Sequence, residues 1–447
     1  MHFKEYRNNV REPMWRALAD AAGEGGSQIA AELRELYEIY DDSVLDWYVS
    51  LYDAKTGGFY YSVSARDNDF VEFNGKKFPL LPDFESTIQA FEFLSHSGMT
   101  KNFYQSLPKT VIDKATEFIK GMQHENGYFY HPQWGKEEVD KRLNRRARDL
   151  VWAANHFRNI GAMPKYDTPN GLKGESSLVS EKTEEAPKPE IIHEVPKHLE
   201  NKRAFMDYLD SLDMANRSYH CGNMLVTQLS QITQRDKELS AAGESYSLLQ
   251  ICVDWLDERI HPETGHWHSK ADYYGVNGFL KTHSMYNAAG RPIPYPEAAA
   301  QSTIDAIASA EPMTAVVDVF NAWWAFAGIS YNLRHFGGEG GNARADAILK
   351  QLHLGAPAAI RGSKEKIARF KKADGSFSYL PTMSSPTSQD MPVAIYGTNE
   401  GDINATGISI NGYTNRICDC LGLHDYKPPM FMECDFERYL EMLKAKL

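Results

Sequence analysis

The chain has 447 residues, of which 42% are hydrophobic and 24% are charged, an ordinary composition for a protein that folds around a sizeable core. Its formal net charge of -12 argues against nucleic acid and anionic membranes as partners, because both are bound mainly through clusters of lysine and arginine. A small anionic ligand remains compatible with this charge, since a local arginine cluster, such as the one within residues 142–148, can reverse the field inside a cleft.

The opening segment MHFKEYRNNVREPMW lacks the apolar stretch of a secretory signal, and no later segment approaches ~18 consecutive apolar residues. We therefore expect a cytoplasmic protein without a membrane span. The five cysteines are odd in number and scattered, which predicts reduced thiols. Zinc-site spacing, dinucleotide fingerprints and P-loops are all missing from the sequence, so we expect neither a metal nor an organic cofactor.

Apolar residues recur three and four positions apart along most of the chain, the spacing of one helix face. This periodicity predicts helices at residues 29–40, 111–122, 247–259, 297–308 and 345–353. Alternating patterns typical of strands are rare. The sequence therefore predicts an all-α fold.

Four helical segments are followed by a short turn in which a glycine precedes an aromatic residue. The turns are KTGGF at 55–59, QHENGYF at 123–129, PETGHW at 262–267 and ADGSF at 373–377. Glycine allows the positive φ of a tight turn, and the aromatic side chain can pack back over the end of the helix. We interpret these aromatic residues as structural, and the recurrence predicts a stack of helical hairpins that bury their apolar faces against one another.

Residues 166–200 interrupt the pattern. They are rich in proline, glutamate, lysine and serine and have little apolar periodicity, which predicts a surface loop. Turn-aromatic units occur on both sides of the segment. This favours an insertion within one domain, 1–447, over a boundary between two domains.

The helix followed by Gln-x-x-x-Gly-x-aromatic, clearest at 115–129, resembles the QW repeats of terpenoid cyclases and protein prenyltransferases. The resemblance implies an α/α toroid, a closed ring of helical hairpins with a pocket at one end. Such toroids also carry polysaccharide lyases, glycosidases and binding proteins. The resemblance therefore implies a fold and leaves the activity open.

The segment PDFESTIQAF at 82–91 resembles a degenerate form of the DxDDTA motif of protonating terpene cyclases. The resemblance implies that Glu85 occupies the position of the general acid. Ser86 replaces the last aspartate of that motif, and these cyclases usually enclose their substrate between two helical domains. A terpene cyclase is therefore kept as an alternative function.

Polar, aromatic-rich segments are the candidates for the pocket. Asp83 and Glu85 begin a helix as possible catalytic carboxylates, although an N-cap also explains Asp83. Trp134 lies beside an arginine-rich segment where Arg146 can grip a hydroxyl or carboxylate, while Asp149 is a catalytic candidate or a partner of a neighbouring arginine.

Two further segments carry the remaining candidates. The first holds the residue types that a lyase needs to neutralise a uronate and move protons, with Tyr274 and His283 as catalytic candidates. Its substrate-binding candidates are His220, Asn223, Tyr273 and Asn277. The second holds Glu400 and Asp402 as catalytic candidates and Asn404 as a binding residue, with N-capping as the alternative for Asp402 and Asn404.

The mixture of aromatic, acidic, amide and basic residues in these segments suits carbohydrate chemistry. We predict an enzyme that cleaves a glycosidic bond in a small oligosaccharide, with uronic acids as one substrate class. A hydrolase requires two facing carboxylates, whereas a lyase requires tyrosine or histidine and a group that holds the sugar carboxylate. A non-catalytic sugar-binding toroid is the second alternative, and the sequence does not indicate an oligomeric state.

Overall fold

The computed structural model describes residues 3–181 and 193–447, and these are predominantly helical. In residues 3–181 the helices are α1 (Phe3–Ala22), α2 (Gly26–Tyr37), α3 (Ser43–Ser50), α4 (Val63–Asp67), α5 (Phe84–His96), α6 (Phe103–Ser106), α7 (Lys109–Gly121), α8 (Gly135–Asp140), α9 (Leu143–Ile160) and α10 (Glu175–Glu181). In residues 193–447 they are α11 (Lys202–Asp210), α12 (Met214–Ala241), α13 (Leu248–Asp257), α14 (Tyr273–Ala289), α15 (Pro296–Ala308), α16 (Val317–Phe336), α17 (Gly341–Ile367), α18 (Ile403–Gly407), α19 (Tyr413–Cys420) and α20 (Glu433–Lys444).

The strands of the described residues are short and form two separate antiparallel pairs. Strand β1 (Phe70–Phe73) pairs with β2 (Lys76–Pro79), and β3 (Thr387–Ser388) pairs with β4 (Met391–Pro392). A π-helical turn, Ile408–Gly412, joins α18 to α19. The all-α prediction is therefore confirmed.

The predicted helices are found with small shifts at their ends. The segment 29–40 falls on α2, 111–122 on α7, 247–259 on α13 and 297–308 on α15. The segment 345–353 lies inside α17, which is much longer than predicted. Helix α17 continues through Pro357, so a proline that suggests a stop in the sequence does not end this helix.

The four glycine-aromatic turns share one geometry. Each closes with an isolated antiparallel bridge, and its glycine has a positive φ of 66 to 84°. The aromatic residues Phe59, Phe129, Trp267 and Phe377 are at most 1% exposed, which confirms their structural interpretation. A Cβ on Gly375 would lie 2.4 Å from Ser43 Oγ, so the last of these turns packs directly against the start of α3.

Six helical segments contact one another in succession. Helix α5 contacts α9, α9 contacts α12, α12 contacts α14, α14 contacts α16 and α16 contacts α19. Helix α18, which continues into α19, contacts α5. Other helices pack outside this series, among them α7 on α5 and α9, α13 on α12 and α14, and α15 and α17 on α16.

The structure describes part of the segment 166–200. Asp167 is 5% exposed and accepts hydrogen bonds from the Gly174 amide at 2.8 Å and from the Ser177 hydroxyl at 2.5 Å. Helix α10 and a 3₁₀ turn, Lys197–Leu199, also lie within it. Residues 182–192, the centre of the predicted loop, lie outside the described residues.

All five cysteines are free thiols, as predicted. Among the helices of residues 3–181 and 193–447, none is both long and apolar enough to cross a membrane.

Candidate functional site

A cavity with a volume of about 460 Å³, here called the main cavity, lies in the described part of the chain. Its walls come from α5, α9, α12, α14, α16 and the α18–α19 segment, the same helices that contact one another in succession. The polar lining residues include Gln89, Glu92, His96, Arg148, Asn223, Lys281, Asn321 and Asn404. The aromatic lining residues are Phe93, Trp152, Tyr219, Phe320, Trp324 and Tyr379.

Asp83 caps the N-terminus of α5. Its Oδ1 accepts the Ser86 amide at 2.8 Å and its Oδ2 accepts the Ser86 hydroxyl at 2.6 Å. Burial raises the pKa of Asp83 to about 6, although the hydrogen bonds from Ser86 act to lower it. The N-cap interpretation is confirmed, and Asp83 lines a small side cavity rather than the main one.

Glu85 lies two residues further along the chain and is held by two arginines from α9. Its Oε2 accepts from Arg145 at 2.8 Å, and its Oε1 accepts from Nε of Arg148 at 2.7 Å. Burial alone would raise the pKa of Glu85, but Arg148 and Arg145 lower it to about 2. Glu85 is therefore ionised at neutral pH and serves to position Arg148 in the wall of the main cavity.

Asp149 is fully buried and forms an ion pair with Arg145, one of the two pairings expected from the sequence. The Arg145 guanidinium faces two carboxylates, Glu85 and Asp149, and only Glu85 has a second arginine. The effect of burial therefore outweighs that of Arg145, and the pKa of Asp149 is raised above its usual range. Asp149 does not line the main cavity.

Trp134 and Arg146 have structural partners away from the main cavity. Trp134 donates from Nε1 to the Pro392 carbonyl at 2.9 Å, and the Arg145 guanidinium lies 5.2 Å from its ring centroid. Arg146 pairs with Asp140 at 3.1 Å and with Glu194 at 3.3 Å. The structure thus does not bring this pair to the main cavity.

Glu400 is enclosed by serines. Its Oε1 accepts from the Ser62 hydroxyl at 2.8 Å and the Ser384 hydroxyl at 3.2 Å, and its Oε2 accepts from the Ser64 amide at 2.7 Å. These bonds join three separate segments of the chain. Glu400, a catalytic candidate from the sequence, is not among the residues that line the main cavity.

Asp402 and Asn404 differ in role although they are two residues apart. Asp402 caps α18 by accepting the Ala405 amide at 2.8 Å, and burial raises its pKa to about 7. Asn404 makes no capping bond; its Oδ1 accepts from Nε2 of Gln89 at 3.1 Å, and both amides line the main cavity.

The candidates on α14 face several different neighbours. The Tyr273 hydroxyl donates to the Glu311 carbonyl at 3.2 Å, and Asn277 donates to Asp318 at 3.1 Å. The Tyr274 ring lies 5.5 Å from that of His268. His283 is 6% exposed, contacts the Leu280 carbonyl through Nδ1 at 2.6 Å, and has a pKa lowered to about 4 by burial.

On α12, the two candidates separate. Asn223 lines the main cavity, whereas His220 does not. Burial and the nearby Arg217 lower the pKa of His220. Of all the residues predicted for the site, the structure therefore brings Asn223 and Asn404 into the main cavity, with Glu85 bound to one of its arginines.

Two cavity residues that the sequence did not single out have strongly shifted pKa values. Burial raises the pKa of Glu92, on α5, to about 7, with Arg148 acting in the opposite direction. Burial and, to a smaller extent, the charge of Arg148 lower the pKa of Lys281, on α14, to about 8. Both groups are therefore mixtures of charged and neutral forms near neutral pH.

A sequence signal for these residues did exist. Glu92 follows Glu85 by seven residues, two helical turns, so both project from the same side of α5. Lys281 follows Tyr274 by the same interval on α14. The signal could not be used without knowing which helix face lines the cavity.

Helix α19 contributes a further charged group to the cavity wall. Arg416 pairs with Asp419 at 3.0 Å, and its guanidinium lies 4.3 Å from the Trp324 ring centroid. Desolvation, together with Arg416 and Lys427, lowers the pKa of His96 to about 4. The π-helical turn Ile408–Gly412 forms part of this wall, and π turns are often found at functional sites.

No cluster of His, Cys, Asp or Glu that could hold a metal ion is found in the part of the chain that the structure describes. Comparison with models of known protein families finds no match, and comparison with curated protein sequences finds none either. The candidate site therefore has to be interpreted from its own chemistry.

Proposed function

We propose that the helices that contact one another in succession close into an α/α toroid, with the main cavity at its axis. The supporting observation is that the series returns to its start, because α18 packs on α5. The contact of Gly375 with the beginning of α3 supports the same closure, since it joins the last turn-aromatic unit to the first. A ring of this kind brings residues far apart in sequence to one opening.

We propose that the protein is an enzyme that cleaves a glycosidic bond in a small, uronic-acid-containing oligosaccharide. The observation that carries this proposal is the pairing of Glu92, with a pKa of about 7, and the arginine Arg148 within one aromatic-walled cavity. A carboxyl group that keeps its proton near neutral pH can act as a general acid toward a glycosidic oxygen.

Arg148 is the proposed binding group for the sugar carboxylate. Its Nε and Nη2 face Glu85, at 2.7 and 2.6 Å from Oε1. Within the described residues, its Nη1 has no hydrogen bond, so that edge of the guanidinium is available to a ligand. Guanidinium groups bind carboxylates with favourable geometry and charge.

The remaining walls fit a sugar. Trp152 and Trp324 offer flat apolar faces, and amides from Gln89, Asn223 and Asn404 offer donors and acceptors for hydroxyl groups. The volume of about 460 Å³ lies within the ~300–1,000 Å³ typical of small-molecule sites.

These features fit a terpene cyclase less well. Glu85, which the DxDDTA resemblance places at the general acid, has a pKa of about 2 and is bound by two arginines, so it has no proton to donate. The cavity also carries many polar groups, whereas an isoprenoid requires apolar walls.

The experiment that tests the proposal is incubation of the protein with a panel of uronate-containing disaccharides and tetrasaccharides, each matched by its neutral counterpart. We expect cleavage of acidic substrates, detected by mass spectrometry. The variant Glu92→Gln should lose about 10²–10⁴ in rate. Glu117→Gln is the matched control, because Glu117 is exposed on α7.

Two results would overturn the proposal. One is cleavage that proceeds equally well in the Glu92→Gln variant. The other is a shift in melting temperature on adding the acidic sugars with no product from any of them, which would indicate a binding protein.

A further inference from the structure

Lys281 is a cation of the cavity wall that has no counterion. Within the described residues its ammonium makes no hydrogen bond and no ion pair, and its nearest aromatic contact is the Tyr219 ring, 5.9 Å away. An enclosed charge without a partner is costly, so such a group tends to lose its charge or to meet a ligand. A contribution to the stability of the fold therefore does not account for a lysine at position 281.

The groups that act on Lys281 or share the cavity with it come from four helices, α5, α9, α12 and α16. Helix α9 contributes the charge of Arg148, and α5 contributes that of Glu85. Helix α12 contributes the Tyr219 ring, and α16 contributes the uncharged Asn321 and Phe320 to the wall of the same cavity. The ionised Glu85 is already bound by two arginines and does not form an ion pair with Lys281.

The described lining residues of the cavity do not supply the pair of free carboxyl groups that glycoside hydrolysis requires. Hydrolysis by acid and base, or by acid and nucleophile, requires two carboxyl groups on either side of the glycosidic bond. Among the described lining residues, the carboxylates are Glu92 and Asp419. Asp419 is occupied by Arg416 at 3.0 Å and by His424 at 2.5 Å, which leaves Glu92 without a free carboxylate partner.

We propose that the glycosidic bond is cleaved by β-elimination, with Lys281 as the base that removes the proton next to the uronate carboxylate. This inference rests on the proposed function, because it assigns a reaction type to the same cavity. It requires no second carboxylate and no water in the bond-breaking step. It also gives Lys281, Arg148 and Glu92 three separate tasks.

Neutral Lys281 takes the proton from the carbon beside the carboxylate, and Arg148 stabilises the negative charge that develops on that carboxylate. The electron pair of the broken C–H bond forms a carbon–carbon double bond, and the bond to the glycosidic oxygen breaks. Glu92 gives its proton to the leaving oxygen. Proton exchange with water then restores neutral Lys281 and protonated Glu92.

The ionisation of the two groups supports this assignment. Burial lowers the pKa of Lys281 to about 8, so a useful fraction is neutral at physiological pH. Burial raises the pKa of Glu92 to about 7, so a similar fraction carries the required proton. The two shifts act in the directions that a base and an acid need.

The test uses substitutions that separate charge from basicity. Lys281→Arg keeps a positive charge but cannot accept a proton, whereas Lys281→Met removes both. Lys270→Arg is the matched control, because Lys270 is exposed. With a uronate disaccharide, we expect the wild-type protein to release an unsaturated sugar, detected by its ultraviolet absorbance and its mass, and Lys281→Arg to lose about 10²–10⁴ in rate while still binding the sugar.

Three different results would overturn different parts of this inference. Saturated products, lacking the new double bond and carrying one added water, would overturn β-elimination and leave the proposed function standing. An undiminished rate of unsaturated product in Lys281→Arg would overturn the role of Lys281. Failure of the wild-type protein to cleave any acidic sugar would overturn the proposed function and this inference together.

Discussion

The Nε of Arg148, on α9, lies 2.7 Å from Oε1 of Glu85, on α5, and this ion pair fixes a cation in the wall of the main cavity. Glu85 is 6% exposed and also accepts from Arg145, so one carboxylate holds two guanidinium groups. A ligand carboxylate that approaches Arg148 would therefore meet a side chain whose orientation is already set.

We expect Glu85→Gln to destabilise the protein by about 3–5 kcal/mol, because it leaves two enclosed guanidinium groups without their common carboxylate. The measurement is equilibrium unfolding by denaturant. Glu137→Gln is the control, since Glu137 pairs with Lys141 at the surface and its side chain is 83% exposed. If both variants unfold at the same denaturant concentration as the wild type, the Glu85 ion pairs do not stabilise the fold.

The proton of Glu92 should appear in the pH dependence of the reaction. A general acid with a pKa of about 7 loses its proton as the pH rises, so kcat/KM should decline on the alkaline side. In Glu92→Gln, the residual kcat/KM should lack this decline and rise through pH 8 as Lys281 becomes neutral. An alkaline decline that persists unchanged in the variant would show that another group supplies the proton.

The contact between α14 and α16 depends on Gly328. A Cβ on Gly328 would lie 2.3 Å from Nε2 of His283, so Gly328→Ala should cost about 1–3 kcal/mol of unfolding free energy. The matched control is Gly355→Ala in α17, where the new Cβ meets nothing within 4 Å and a gain of about 0.5–1 kcal/mol is expected. Thermal unfolding measures both.

The same contact can be tested by a double mutant. Shortening the histidine in His283→Ala makes room for the new Cβ, so Gly328→Ala should cost less in that background than in the wild type. Equal costs in the two backgrounds would mean that these two residues do not touch.

The helices and their turns could be predicted because their signals are local. The periodicity that predicted α2, α7, α13 and α15 depends only on residues within each helix. Likewise, the turn aromatic Phe377 follows a glycine with positive φ, a conformation that glycine adopts readily. The caps at Asp83 and Asp402 are also local, since each bonds to an amide three residues later.

The cavity could be predicted only in part, because its lining depends on which face each helix turns inward. Glu92 and Lys281 are separated by 189 positions in the sequence, and only the folded chain brings both of them near the charges of Arg148 and Glu85. Conversely, the polar segment around Glu400 suggested a cavity residue, but in the structure the Glu400 carboxylate accepts hydrogen bonds from three serines of other segments. Polarity in the sequence identified charged positions without showing their partners.

His283 should make the protein sensitive to acid. Its folded-state pKa of about 4 lies below the ordinary value of about 6.5, so the stability gained from its neutral form is present above pH 6.5 and is lost as the pH falls. Relative to His283→Gln, the wild-type protein should lose about 2 kcal/mol between pH 7.5 and pH 5. A constant difference between the two proteins across this range would contradict the assignment.

The most direct test of the central claim is a crystal structure of the Glu92→Gln variant soaked with a uronate disaccharide. We expect the sugar within the cavity of about 460 Å³, with its carboxylate against Nη1 of Arg148 and its glycosidic oxygen near residue 92. Sugar bound at another surface while this cavity stays unchanged, or a sugar carboxylate directed away from Arg148, would contradict it.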